Sequence, residues 1–161
     1  MKNPYIIIFL IILASGIFLI IKQKFYPVEF TTIKLYYYDA ERDKDESGNI
    51  KCSRDGLVAV ERNIIKSQIP IQNSINQLIS GQLSVEERAS GISTEYPLSG
   101  LSLKGASLQD GVLTLEFNDL NNKTGGGSCR VGILWYQIEA TAKQFPGVME
   151  VRFLPEELFQ P

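Results

Sequence analysis

The sequence predicts an α+β fold, a mixed β-sheet with helices packed on one face, preceded by one transmembrane helix. Three observations carry that prediction. Strand-like and helix-like segments follow one another in the order β-β-α-α-β-β-α-β. Asp110-Gly111 sits between two apolar strand-like runs, a strong hairpin pattern. Tyr5 to Ile21 is a run of 17 residues without a charge, dominated by Ile, Leu and Phe.

At ~1.5 Å per residue, a helix over 5–21 is about 26 Å long, the short end of what crosses a ~30 Å hydrocarbon core. A cleaved signal peptide is the alternative, and a soluble buried helix a more distant one. A signal peptide, however, has a shorter apolar region and ends in small residues. Here the run ends Ile20-Ile21-Lys22-Gln23-Lys24. Residues 1–24 are therefore read as an anchor in the cell membrane, 25–31 as a juxtamembrane spacer and 32–161 as the folded domain. Lys2 on one side and Lys22 and Lys24 on the other nearly balance, so basic residues alone do not orient the span.

In the body, Ile33, Leu35 and Tyr37 share one face of a first strand, Thr32 to Tyr38. Ala40 to Arg54 is a charged, turn-rich excursion, and Leu57 to Ile64 is the returning strand. Pro70 opens a helix whose stripe is Ile71, Ile75, Leu78 and Ile79, with Gly81 as its stop. Ser84-Val85-Glu86-Glu87 is a capping box for a short helix ending at Gly91. Leu101 to Leu108 and Val112 to Phe117 form the hairpin, with Leu113, Leu115 and Phe117 facing the core. A polar loop, Asn118 to Ser128, leads to a helix over Cys129 to Phe145. Val131, Leu134, Trp135, Ile138, Ala142 and Phe145 make its apolar stripe; Gln137, Thr141 and Gln144 fall on the wetter side. Val148 to Leu154 is the last strand. No internal sequence repeat is present, although the two β-β-α halves are loosely parallel in plan.

Composition narrows the chemistry. The chain holds no His, which removes Ser-His-Asp and Cys-His pairings. Its formal charge of −2 has the wrong sign for a nucleic-acid binder, and no nucleic-acid partner is expected. Cys52 and Cys129 lie 77 positions apart, and a disulfide between them in an exported domain would stabilise by ~4–5 kcal/mol in the chain-entropy model. Two unrelated buried thiols are the alternative. The pair favours a body outside the cytoplasm, with residues 1–4 inside.

Other patterns have ordinary readings beside them. Asp43, Asp45 and Ser47, with Gly48, open like a calcium loop, but Arg54 stands where the bidentate Glu is needed, so a solvated hairpin tip is the main reading. Lys123 precedes Gly125-Gly126-Gly127, so the Walker order is absent; Ser128 reads as an N-cap, and no cofactor is expected. Tyr36 and Tyr38 share the face opposite Tyr37. They either pack under a helix or form an exposed aromatic strip for a glycan or partner. Glu86/Glu87 and Glu156/Glu157 read as solvated charge rather than as a catalytic pair.

Asp110-Gly-Val-Leu-Thr-Leu-Glu-Phe-Asn118, the Gly/Ser loop, and Gln137-Ile-Glu-Ala-Thr-Ala-Lys-Gln-Phe-Pro-Gly-Val148 together resemble the GerMN domain of sporulation and spore-germination proteins. The resemblance covers Ile33 to Leu154. It implies an extracytoplasmic, membrane-tethered module similar to the ring-building domains of secretion systems, working in envelope assembly and carrying no catalytic residues. Members often hold two copies and a lipid-modified Cys. This chain has room for one copy and carries Ile17 at the lipobox-like position, so a general envelope role is what carries over. A homo-oligomer or another envelope protein is the expected partner. A cell-wall-active enzyme or inhibitor, and a small-ligand sensor, are the alternatives.

Overall fold

The computed structural model describes residues 28–160. The expected anchor and residues 25–27 of the spacer lie outside the described residues, and the spacer's last two positions, Phe30 and Thr31, already belong to the first strand. Among the described residues no helix is long and apolar enough to cross a membrane.

The elements are β1 (Phe30–Tyr38), β2 (Leu57–Ile65), α1 (Pro70–Ile79), α2 (Val85–Ala89), β3 (Leu101–Gln109), β4 (Val112–Asp119), α3 (Ser128–Lys143) and β5 (Glu150–Leu154). Their order is the expected β-β-α-α-β-β-α-β, and the fold is α+β. The single mixed sheet is not found. β1 and β2 form an antiparallel pair, and β3, β4 and β5 form a separate sheet in that order, β5 running parallel to β4.

Local chemistry sets most of these elements. The Asp110-Gly111 turn places both residues at positive φ, +49° and +83°, the twist a two-residue hairpin needs. Pro70 occupies the first turn of α1. Gly81 ends the segment at φ +67°, and a Cβ there would lie 1.9 Å from the Tyr96 carbonyl oxygen. The capping box is formed: the Ser84 hydroxyl accepts from the Glu87 N–H, and the Glu87 carboxylate accepts from the Ser84 N–H.

The core lies between the two sheets and the helices. Leu35 and Tyr37 of β1, Ile75 and Leu78 of α1, Leu115 of β4, and Leu134 and Ile138 of α3 are almost wholly buried within it. An aromatic group closes one side: the Trp135 ring meets Phe153 edge-on at 4.9 Å, and Phe159 from the C-terminal segment packs on Phe153 and Phe117. Trp135 is thus half-buried rather than central.

Two expectations about α3 are corrected. Gly127, not Ser128, is its N-cap, and Ser128 begins the helix without a side-chain cap bond. Gln137 and Thr141 are fully buried rather than wet, and Gln144 is half-buried. The reason is what this face meets: Thr141 and Gln144 bond to the outer edge of β1, and the Gln137 Oε1 accepts the Thr94 hydroxyl at 3.0 Å.

Candidate binding surface

Strand edges decide which surfaces of this domain can accept a partner. On β1, alternate peptide groups point away from β2. The Gln144 side chain spans the Lys34 peptide groups, its Oε1 accepting the Lys34 N–H at 2.8 Å and its Nε2 donating to the Lys34 carbonyl at 2.6 Å. The Thr141 Oγ1 accepts the Tyr36 N–H at 3.0 Å. One step further, Tyr38 and Ser93 exchange backbone bonds, 3.1 and 2.7 Å. Side chains of α3 and one short bridge therefore take the place of a strand. This is why the two sheets stay separate, and why this edge is closed to partners.

The same end of β1 holds Tyr38, which is 4% exposed, its ring lying against Gly56. Its hydroxyl donates to the Asp43 carboxylate. Tyr36, on the same face, is half-buried. The exposed strip of Tyr36 and Tyr38 is thus not present, because Tyr38 is covered by the excursion between β1 and β2.

That excursion is braced rather than loose. Asp43 is wholly buried and also accepts from the Ser53 N–H and hydroxyl. Burial alone would raise its pKa; the bonds from Ser53 and Tyr38 and the charge of Lys51 outweigh burial and hold it below the usual range. Asp45 instead folds its carboxylate back on the Ser47 and Asn49 amides. Asp43, Asp45 and Ser47 consequently do not converge as cation ligands, since each aspartate already serves its own turn. Among the described residues no cluster of His, Cys, Asp or Glu suits a metal ion. Cys52 and Cys129 are joined as a disulfide with their Cα atoms 5.1 Å apart, fastening the excursion to the start of α3. Arg54 from the same excursion pairs with Glu139 and lies 4.1 Å above the Tyr136 ring.

Among the described residues the outer edge of β5, like those of β2 and β3, has no neighbouring strand. Beside it opens a cleft of about 620 Å³, walled by Trp135 and Glu139 of α3 and by Glu150, Arg152, Glu156 and Gln160. Glu150 pairs with Arg152 at 2.7 Å. Burial pushes the Glu139 pKa up, but Lys143 and Arg54 pull it down further, so it stays charged. Three glutamates and Arg152 line the cleft, and Glu139 and Glu150 are already held in ion pairs. Its chemistry is that of a polar slot of largely paired charges beside open strand backbone, suited to holding an extended segment.

The sequence does not reveal this cleft: it puts Trp135 in the apolar stripe of the helix and Glu156 among solvated charges. The available signal was the final strand Glu150-Val-Arg-Phe-Leu154: its apolar residues alternate with charged ones, as on a strand with one wet face. Glu87 is also more engaged than expected, gripping Arg62 of β2 with both oxygens at 2.7 Å.

The chain is similar to a solved structure of the tandem GerMN domains of the sporulation protein GerM from Bacillus subtilis, at 21% identity and a TM-score of 0.53. The match covers 80% of this chain and 40% of that one, so the chain spans less than half the length of the solved protein. At that identity the likeness shows the fold. No curated protein matches the chain. The Germane family model, described as sporulation and spore germination, matches residues 34–157, and the chain belongs to that family.

Proposed function

We propose that the chain is an anchored envelope module that acts by binding, with residues 5–21 in the cell membrane and the disulfide-braced body on the extracytoplasmic side. The Cys52–Cys129 bond supports an oxidising compartment, and the uncharged 17-residue run supports the anchor. The family's place in sporulation and germination agrees with an envelope role.

The observation that carries the binding reading is the open β5 edge above the polar cleft. An extended strand from a partner can hydrogen-bond to that edge while its polar side chains meet Glu156 and the paired charges of the cleft. The partner is a second copy of the chain or another envelope protein. A photo-crosslinking residue at Leu154, 41% exposed in the cleft, tests this in membranes against the same residue at Leu120, 79% exposed elsewhere. A discrete adduct from Leu154 alone is expected, at twice the chain mass for self-assembly and at another mass for a different partner. No adduct at Leu154, or equal adducts at both, contradicts the reading.

A further inference from the structure

The domain has two chemically different ends. β1 leaves the first end and β2 returns to it. The tip of the β3–β4 hairpin and the C-terminus of α3 lie there too, with α1 starting beside them. The opposite end carries the disulfide and the charged excursion.

Ten large apolar residues are exposed among the described residues, and six of them belong to the first end: Val28, Phe30, Ile65, Ile69, Leu108 and Met149. Several of them are neighbours in space. Phe30 pairs directly with Ile65 across the strands. Ile69 and Leu108 line an apolar cleft of about 300 Å³ floored by Leu113 and Phe145. A second hollow beside the start of β1 shares Pro70 and Phe145 with it. Met149 lies against the Gly111 turn. Such a collection on one end of a small domain marks an interaction surface.

The chain's own layout says what covers it. The uncharged run ends at Ile21, and six residues, 22–27, join it to Val28. Six residues span at most ~20 Å even when fully extended. A bilayer holding 5–21 therefore lies within that reach of this end and of no other. Lys22 and Lys24 in the connection suit anionic headgroups. The whole connection between β1 and β2 at the far end, Asp39 to Gly56, holds six acids against four bases.

We propose that this apolar end rests on the outer leaflet, its exposed side chains entering the headgroup region and the Ile69–Leu108 cleft taking lipid acyl chain. The domain is thereby held upright, with the disulfide-braced end outermost and the β5 edge facing sideways. The proposal rests on the anchored reading above.

The test uses the full chain reconstituted in phosphatidylcholine vesicles with brominated acyl chains. Trp135 is the one tryptophan, so Trp135→Phe clears the background for Ile69→Trp or Leu108→Trp at the apolar end and Ile50→Trp in the distal excursion. Side chains that enter the interface by ~5–10 Å come within reach of the bromines, so emission at 69 and at 108 falls about two-fold while that at 50 is unchanged. Co-flotation with the vesicles is measured on the same samples. A chain that co-floats but shows no quenching at either 69 or 108, or equal quenching at 50, overturns the seating while leaving the anchor intact. A chain that does not co-float overturns both.

Discussion

Gln144 grips Lys34 from both sides, its amide oxygen taking the Lys34 N–H at 2.8 Å and its amide nitrogen donating to the Lys34 carbonyl at 2.6 Å. A glutamine three positions after Thr141 thus imitates a stretch of strand, and β1 ends against a helix instead of a sixth strand. Thr141 does the same for the Tyr36 N–H. Thr141→Val keeps the shape and leaves that amide without its acceptor, which costs about 1–3 kcal/mol. Denaturant unfolding measures the loss, and an unchanged midpoint would show that the bond is dispensable.

The disulfide closes the widest loop in the body. Replacing both Cys52 and Cys129 by Ser lowers stability by ~4–5 kcal/mol if unfolded-chain entropy dominates. Thermal melts with and without reductant should reproduce the difference. In the folded protein neither sulfur is free to react with a maleimide until it is reduced. Prompt labelling of both without reductant would count against the bond.

Acid should loosen the excursion first. The folded pKa of Asp43 lies below its ordinary value of 3.8. Its contribution is therefore fully present above that value and is lost as pH falls through the folded pKa, because the unfolded chain binds the proton more readily. Asp119, Glu87 and Glu139 shift in the same direction. Asp43→Asn removes part of the acid slope and costs about 1–3 kcal/mol at neutral pH, since Tyr38 and Ser53 lose a charged acceptor. Stability measured between neutral pH and pH 3 should give a shallower slope in the variant; parallel curves would contradict this role.

The glycines separate by environment. Gly81→Ala forces a Cβ to within 1.9 Å of the Tyr96 carbonyl at φ +67° and costs at least ~1–3 kcal/mol. Gly105→Ala meets nothing within 4 Å and leaves stability unchanged or slightly improved. Equal effects at the two positions would mean that the close approach at Gly81 is not what constrains it.

What the sequence showed and what it hid follow from the range of each interaction. Ile33, Leu35 and Tyr37 were readable because a two-residue period is local, and so were the capping box at Ser84 and the turn at Asp110-Gly111. The family resemblance was readable from Asp110 to Val148 for the same reason. The burial of Gln137 and Thr141 was not, because polarity suggests water while their partners, the Thr94 hydroxyl and the Tyr36 amide, lie 43 and 105 positions earlier. Asp43 looked like a loop ligand because its true partner, Ser53, lies ten residues on. The division into two sheets was hidden as well, since periodicity identifies strands but not which edges meet. The β5 cleft escaped for that reason, being made of one strand edge and one helix face.

Binding in the envelope, as proposed, requires the body to lie outside the cytoplasm. Protease added to osmotically stabilised protoplasts expressing the full chain decides this, with a cytoplasmic protein as the internal control. Digestion of residues 28–161 while the control survives is the predicted result. A body that stays intact until detergent opens the membrane contradicts it.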